Sequence, residues 1–265
     1  MPADLTFWLM LGVKMAVSAG FVVTASMVAE RAGSLVGGLV AALPISAGPA
    51  YVFLAFDHEA AFVADSALTS LAVNVGTTIF ALTYILLAQS YGVLASLAGA
   101  LVCWVGMIAL IRSTGWTLPA VLAFNLAAYL VGVPVAKKFQ TAKVRPAVRR
   151  WYDLPLRAGL VATLVATVVT ASRYVGPAVT GMLAVFPVVL SSLILVFQPR
   201  IGGPATAALI ANTMPGLIGF AAALTVLHVA AVPLGSAVAL TLGLATSVLW
   251  TLVLWIRARA DAPTR

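Results

Sequence analysis

Long apolar runs recur from one end of this 265-residue chain to the other. A run of roughly 20 apolar residues is long enough to cross the hydrocarbon core of a bilayer as a helix. Hydrophobic residues make up 63% of the chain and charged residues only 8%, which excludes a soluble globular domain of this size. The sequence therefore predicts an all-α polytopic membrane protein.

Nine membrane spans are predicted from these runs, and their ends are approximate. The decisive connection is the basic stretch from Lys137 to Asp153, which the positive-inside rule places in the cytoplasm. Alternating outward from it puts the acidic turn from Asp57 to Glu59 outside, the N-terminus outside and the C-terminus inside. We therefore expect a multi-pass protein of the cell inner membrane. The spans are about 8–29, 33–56, 64–88, 92–112, 116–136, 156–174, 178–198, 205–228 and 233–256.

The chain also aligns with itself after a shift of 143 positions, without a gap from Trp8 to Gly76. The matches that carry most weight involve glycine and proline, because these residues fix backbone geometry. Spans 1–4 then correspond to spans 6–9, and the odd fifth span turns the second unit over in the membrane. The most telling pairs are Lys14 with Arg157, Gly38 with Gly181, Pro44 with Pro187, and Gly76 with Gly219.

This alignment predicts two four-helix units in an inverted repeat. Residues 1–114 form the first repeat and residues 156–265 the second. Residues 115–155 form a linker that contains the extra span and the basic cytoplasmic loop. Inverted repeats with interrupted helices at matching positions are the usual construction of secondary transporters.

Prolines stand at matching places within the second and seventh spans. Pro44 and Pro187 each free a carbonyl one turn earlier, near Val40 in the first copy and Leu183 in the second, and lipid cannot satisfy that carbonyl. Pro215 is predicted to interrupt the eighth span in the same way. Two interpretations stay open: the breaks form a binding site, or they are kinks that merely pack well.

The second copy, from Ala171 to Leu195, resembles the glycerol-regulon membrane protein GlpM and related small membrane domains. The first copy departs from that pattern, with Glu30 in place of the arginine and Leu43 in place of the phenylalanine. The resemblance implies a small four-span unit, here duplicated through an added span, and it brings no settled activity. The residues that carry it are Ser172, Arg173, Gly176, Gly181, Phe186 and Pro187.

The candidate substrate-binding residues are the prolines, the hydroxyls just beyond them, and polar or cationic groups within apolar runs. A cation at membrane depth is costly and often functional, although a long side chain can instead reach the headgroups. The mid-membrane asparagines either line a pathway or join helices through hydrogen bonds. The set is Lys14, Pro44, Ser46, Asn74, Arg157, Pro187, Ser191 and Asn212.

Enzyme motifs are missing from the sequence. It has no H-E-x-x-H, G-x-S-x-G or Walker lysine motif, and its two histidines are far apart. We therefore predict no catalytic residues, no metal site and no cofactor. The basic residues are explained by membrane topology, so we also predict no nucleic-acid partner.

Three functions remain in competition. The first is a secondary transporter or exporter of a small solute by alternating access, with an anion as one option. The second is a non-transporting structural or assembly subunit of a membrane complex, and the third is a lipid or polyprenyl-phosphate translocase. The expected partners are a small-molecule or lipid substrate and membrane lipids, and a homo-oligomer is left open.

Overall fold

The computed structural model describes residues 3–31, 47–140 and 150–260, which form helices joined by short connections. No strand occurs in these ranges, so the predicted all-α class is confirmed for them. Pro44 and Ser46 lie outside the described residues. The helices are α1 (Ala3–Arg31), α2 (Ala47–Asp57), α3 (Ala60–Leu87), α4 (Val93–Arg112), α5 (Leu118–Lys137), α6 (Asp153–Ala171), α7 (Pro177–Ala184), α8 (Val188–Ile201), α9 (Gly203–Leu234) and α10 (Ser236–Ala260).

Seven helical stretches in the described ranges are long and apolar enough to cross a membrane. They coincide with the third to ninth predicted spans, apart from modest differences at the ends. The first predicted span lies within α1, whose apolar part runs from Trp8 to Thr24. The second falls largely on residues that are not described, and α2 forms its end. The chain is thus a polytopic membrane protein.

Helices α3 and α9 form the centre of the bundle and run antiparallel. The start of α9 lies beside the end of α3, and their midpoints meet. We call one end of the bundle the His58 end, because His58 and His228 lie there, and the other the Gln198 end. The contacts that fix this direction, in order along α3, are Ala64 with His228, Asn74 with Leu217, and Ala88 with Gly203.

The other helices surround this central pair. Helices α4, α5 and α7 pack against α3, α10 packs against α9, and α1 packs against α6. Helix α5 also contacts α9, so the span predicted as a linker is part of the packed bundle. The starts of α3 and α9, at Ala60 and Gly203, are separated by the same 143 positions as the starts of α4 and α10, at Val93 and Ser236.

Prolines have different effects in two of these helices. The seventh predicted span divides into α7 and α8 at residues 185–187, whereas α9 continues through Pro215. The prediction that Pro215 interrupts the eighth span is therefore wrong. The carbonyl that Pro215 leaves without a backbone donor, that of Ala211, accepts a hydrogen bond of 3.2 Å from the side chain of Gln140. The side chain of Gln140, just after α5, thus satisfies the carbonyl that the continuous helix leaves free.

Candidate functional site

The interruption between α7 and α8, which we call the break, comprises residues 185–187. Pro187 is buried and takes a φ of −75° and a ψ of 53°, outside the helical region. The carbonyl of Leu183, predicted to be free, accepts a bond of 3.1 Å from the backbone N–H of Phe186. A tighter turn therefore satisfies this carbonyl locally, and the helix restarts at Val188.

One turn before the break, α7 makes a very close approach to α3. A Cβ atom at Gly181 would lie 2.2 Å from the backbone carbonyl oxygen of Ser66, so a side chain cannot fit there without moving a helix. The closeness allows the Ser70 hydroxyl to donate a bond of 2.7 Å to the Gly181 carbonyl. The hydroxyl of Tyr51 lies 2.6 Å from the same serine oxygen and donates to it. These bonds tie α2, α3 and α7 together beside the break.

Asn74 lies fully buried at the midpoint of α3, where α3 crosses α9 and α5. Its amide nitrogen donates to Asn125 at 3.2 Å and to the hydroxyl of Tyr129, and it lies 3.3 Å from the Leu217 carbonyl oxygen. The Tyr129 hydroxyl donates to that same carbonyl at 2.8 Å. A polar network therefore joins three helices at mid-depth, where lipid offers no substitute for these bonds.

The two ends of the bundle carry ion pairs. At the His58 end, the Lys14 ammonium lies 2.5 Å from an Asp57 carboxylate oxygen. At the Gln198 end, Arg200 forms a two-pronged pair with Asp153, at 2.6 and 2.7 Å. The Arg157 guanidinium lies at this end too, 5.7 Å from the centre of the Phe197 ring. Bidentate pairs of this kind fix orientation as well as charge.

Each end also has a polar contact between the first and second halves of the chain. His58 Nε2 lies 2.8 Å from the Ser172 hydroxyl, and its ring stacks on Phe62 at 3.9 Å. Partial burial lowers the pKa of His58, which favours the neutral ring in this contact. At the opposite end, Gln198 accepts a bond of 2.9 Å from Tyr84. Both ends of the boundary between the halves are thus closed by uncharged hydrogen bonds.

The structure brings some of the predicted site residues together and separates others. Asn74, Pro187 and Ser191 lie in the middle of the bundle around the break. Lys14 and Arg157 lie at opposite ends. Asn212 is exposed, and its side-chain amide donates a hydrogen bond of 2.9 Å to the Ala208 carbonyl of its own helix.

Sequence reasoning missed several polar residues of the centre. Asn125 and Tyr129 lie one helical turn apart in the fifth span, and this spacing was a signal that they share a face. They were overlooked because that span was assigned as a linker. Trp104 and Gln140 carried no such signal, since their roles depend on which helices become neighbours.

No group of three or more histidine, cysteine, aspartate or glutamate side chains that could hold a metal ion occurs among the described residues. In these residues the polar groups of the bundle centre are amides and hydroxyls set among apolar and aromatic side chains. No protein family, curated protein or solved structure matches this chain.

Proposed function

We propose that the chain is an inverted repeat of two four-helix units. Three observations support this proposal: the helix starts that recur after 143 positions, the antiparallel packing of α3 on α9, and the meeting of Asn74 with Leu217. The last pair is itself 143 positions apart. Where equivalent residues of two repeats touch, an axis relating the repeats must pass between them, and antiparallel helices require that axis to lie in the membrane plane.

We further propose that the protein lies in the cell inner membrane and that its Gln198 end faces the cytoplasm. Lys137, Lys138 and Arg200 lie towards this end, whereas Asp57 and Glu59 lie at the other. This distribution follows the positive-inside rule. The same orientation places the N-terminus outside and the C-terminus inside, across nine spans.

Our central proposal is that the protein is a secondary transporter of a small solute, working by movement of one four-helix unit against the other. The observation that carries it is the break, which interrupts a membrane helix at mid-depth against the polar face of α3. A helix break within lipid is tolerated where protein or a water-filled cavity satisfies its backbone. In alternating-access transporters, substrates bind at such breaks between repeats.

The hydrogen bonds at the two ends support the same mechanism. The contacts of His58 with Ser172 and of Tyr84 with Gln198 cross between the halves and are uncharged. A neutral hydrogen bond contributes only about 1 kcal/mol net. Opening the His58 end therefore requires no separation of the Lys14–Asp57 ion pair, which lies within the first unit, and the Arg200–Asp153 pair joins the second unit to the linker.

The test is solute flux into proteoliposomes that contain the full chain, measured together with thermal stability. We expect Pro187→Ala and Asn74→Leu to reduce flux of any transported solute at least tenfold while the protein still inserts. Pro199→Ala and Gln89→Leu are the matched controls, because Pro199 and Gln89 are exposed and distant from the break. Full flux in both Pro187→Ala and Asn74→Leu would refute a transport site at the break.

A further inference from the structure

Four buried polar atoms in the middle of the bundle have no hydrogen-bond partner among the described residues. Asn74, Thr77 and Trp104 are 0%, 5% and 7% exposed, so water outside the bundle does not reach them. An unpartnered buried polar group is costly and calls for an explanation. The atoms are Asn74 Oδ1, Thr77 Oγ1, Trp104 Nε1 and Ser191 Oγ; a further such atom, Ser66 Oγ, belongs to the residue beside Gly181, one turn before the break.

These atoms belong to one layer beside the break. The bonds from Ser70 to Gly181 and from Tyr84 to Gln198 show that α7 and α8 follow the same direction as α3, although α8 itself packs against α4, α6 and α9. Between these two bonds, positions 188 to 191 fall at about the level of Thr77 along the bundle. Ser191 therefore lies at about the level of Thr77. Thr77 itself lies one turn from Asn74 on the same face of α3.

Trp104 enters this layer from α4. The centre of its ring lies 5.2 Å from the centre of the Phe186 ring, and the two rings are nearly perpendicular. Phe186 belongs to the break. The Trp104 ring also contacts Gly76, where an added Cβ would lie 3.5 Å from Trp104 Cδ1. The indole nitrogen is bonded to that same carbon, so the donor lies close to Gly76, the residue before Thr77.

The four groups have complementary hydrogen-bonding capacities. The Asn74 oxygen only accepts, the Trp104 N–H only donates, and the hydroxyls of Thr77 and Ser191 can do either. None of the described residues that contribute to this layer is acidic or basic, and the ion pairs lie at the bundle ends. An ion held here would be desolvated without a charged partner, which is strongly unfavourable.

We infer that this layer binds a small uncharged molecule with both a hydrogen-bond donor and an acceptor, such as a primary amide. The inference rests on the proposed transport function and names the substrate class of the same site. A neutral amide supplies an N–H for Asn74 or a hydroxyl, and a carbonyl for Trp104. An anion satisfies only the donors, and a cation satisfies only the acceptors.

The test compares three molecules of almost identical shape: acetamide, acetate and the acetamidinium cation. Binding to the purified full chain in detergent is followed by the rise in thermal midpoint with concentration. We expect only acetamide to raise it. Thr77→Val should weaken acetamide binding about fivefold, the effect of losing one hydrogen bond. Thr241→Val is the control, because that exposed hydroxyl bonds its own helix.

Tryptophan emission provides a second measurement at the site. We expect acetamide to change the emission of the wild-type protein, and Trp104→Phe to abolish that change while keeping the ring against Phe186. Binding of acetate or acetamidinium in preference to acetamide overturns the inference. Failure of all three to bind also overturns it and leaves water as the occupant.

Flux measurements separate this inference from the proposed function. If acetamide binds at the layer but no solute is transported, the inferred ligand class is correct and the proposed transport function is wrong. Flux of acetate that Asn74→Leu abolishes means that transport stands and the neutral class is wrong.

Discussion

Helices α3 and α9 occupy matching places in the two halves of the chain, yet their inward faces differ. Five buried positions of α3 carry polar side chains, whereas the positions of α9 that align with them after 143 residues are mostly apolar. On α3 they are Ser66, Ser70, Asn74, Thr77 and Thr78. On α9 they are Leu209, Thr213, Leu217, Phe220 and Ala221. The two halves share a helix pattern, and the side chains of the candidate site come mainly from the first.

Burial follows the same division. The apolar window of α3 is 72% buried and that of α9 is 39% buried. A polar face in a membrane protein must be covered by other polar groups. The more enclosed helix can therefore carry the polar residues, and the more exposed one must remain apolar.

The largest expected effect concerns the inverted relation itself. Tyr91 and Leu234 align after the 143-position shift, are 58% and 53% exposed, and precede α4 and α10. In a Cys103→Ser background, an impermeant thiol reagent added outside sealed cells should label Leu234→Cys and not Tyr91→Cys. Labelling of both variants from the same side would break the comparison, since the halves would then share one orientation.

The next effect uses the aligned glycines of the two central helices. A Cβ at Gly219 would lie 2.3 Å from a carbon of the Trp250 ring, whereas a Cβ at Gly76 would have ordinary contacts of 3.4 Å or more. Gly219→Ala should therefore lower the free energy of unfolding by about 1–3 kcal/mol through overpacking. Gly76→Ala should leave it nearly unchanged.

Thermal and denaturant unfolding of both variants in detergent checks this prediction. Equal stability losses at the two positions would mean that the two helices are packed alike. The indole of Trp250 also donates a bond of 2.8 Å to the Pro215 carbonyl, which restrains the ring from moving aside.

The smallest effect concerns Pro215, which is present in α9 and replaced by Ala72 at the aligned position of α3. Gln140→Leu should cost about 1 kcal/mol, because it leaves the buried Ala211 carbonyl without a donor. In a Pro215→Ala background the same change should cost almost nothing, since the restored backbone N–H bonds that carbonyl. A double-mutant cycle measures the difference directly. Identical costs in both backgrounds would show that Gln140 acts through another contact.

Much of this protein could be predicted from the sequence because the bilayer imposes strict local conditions. The need for long apolar helices made the third to ninth spans readable from composition alone. Pro187 marked one candidate break, since proline removes a backbone donor, but the same rule wrongly predicted a break at Pro215. Asn74 stood out as an amide within an apolar run.

Only the tertiary structure decided which polar groups meet. The carbonyls beside Pro187 and Pro215 have the same local chemistry, yet one helix breaks and the other continues. At Pro215 the side chain of Gln140, 71 positions away in sequence, reaches the freed carbonyl of Ala211, whereas at Pro187 the carbonyl of Leu183 bonds the N–H of Phe186 in a tighter turn. Likewise, Trp104 enters the site because α4 packs beside the break, and Asn212 does not because its face of α9 is exposed. Hydrogen-bond partners between helices depend on packing and register, and the local sequence fixes neither.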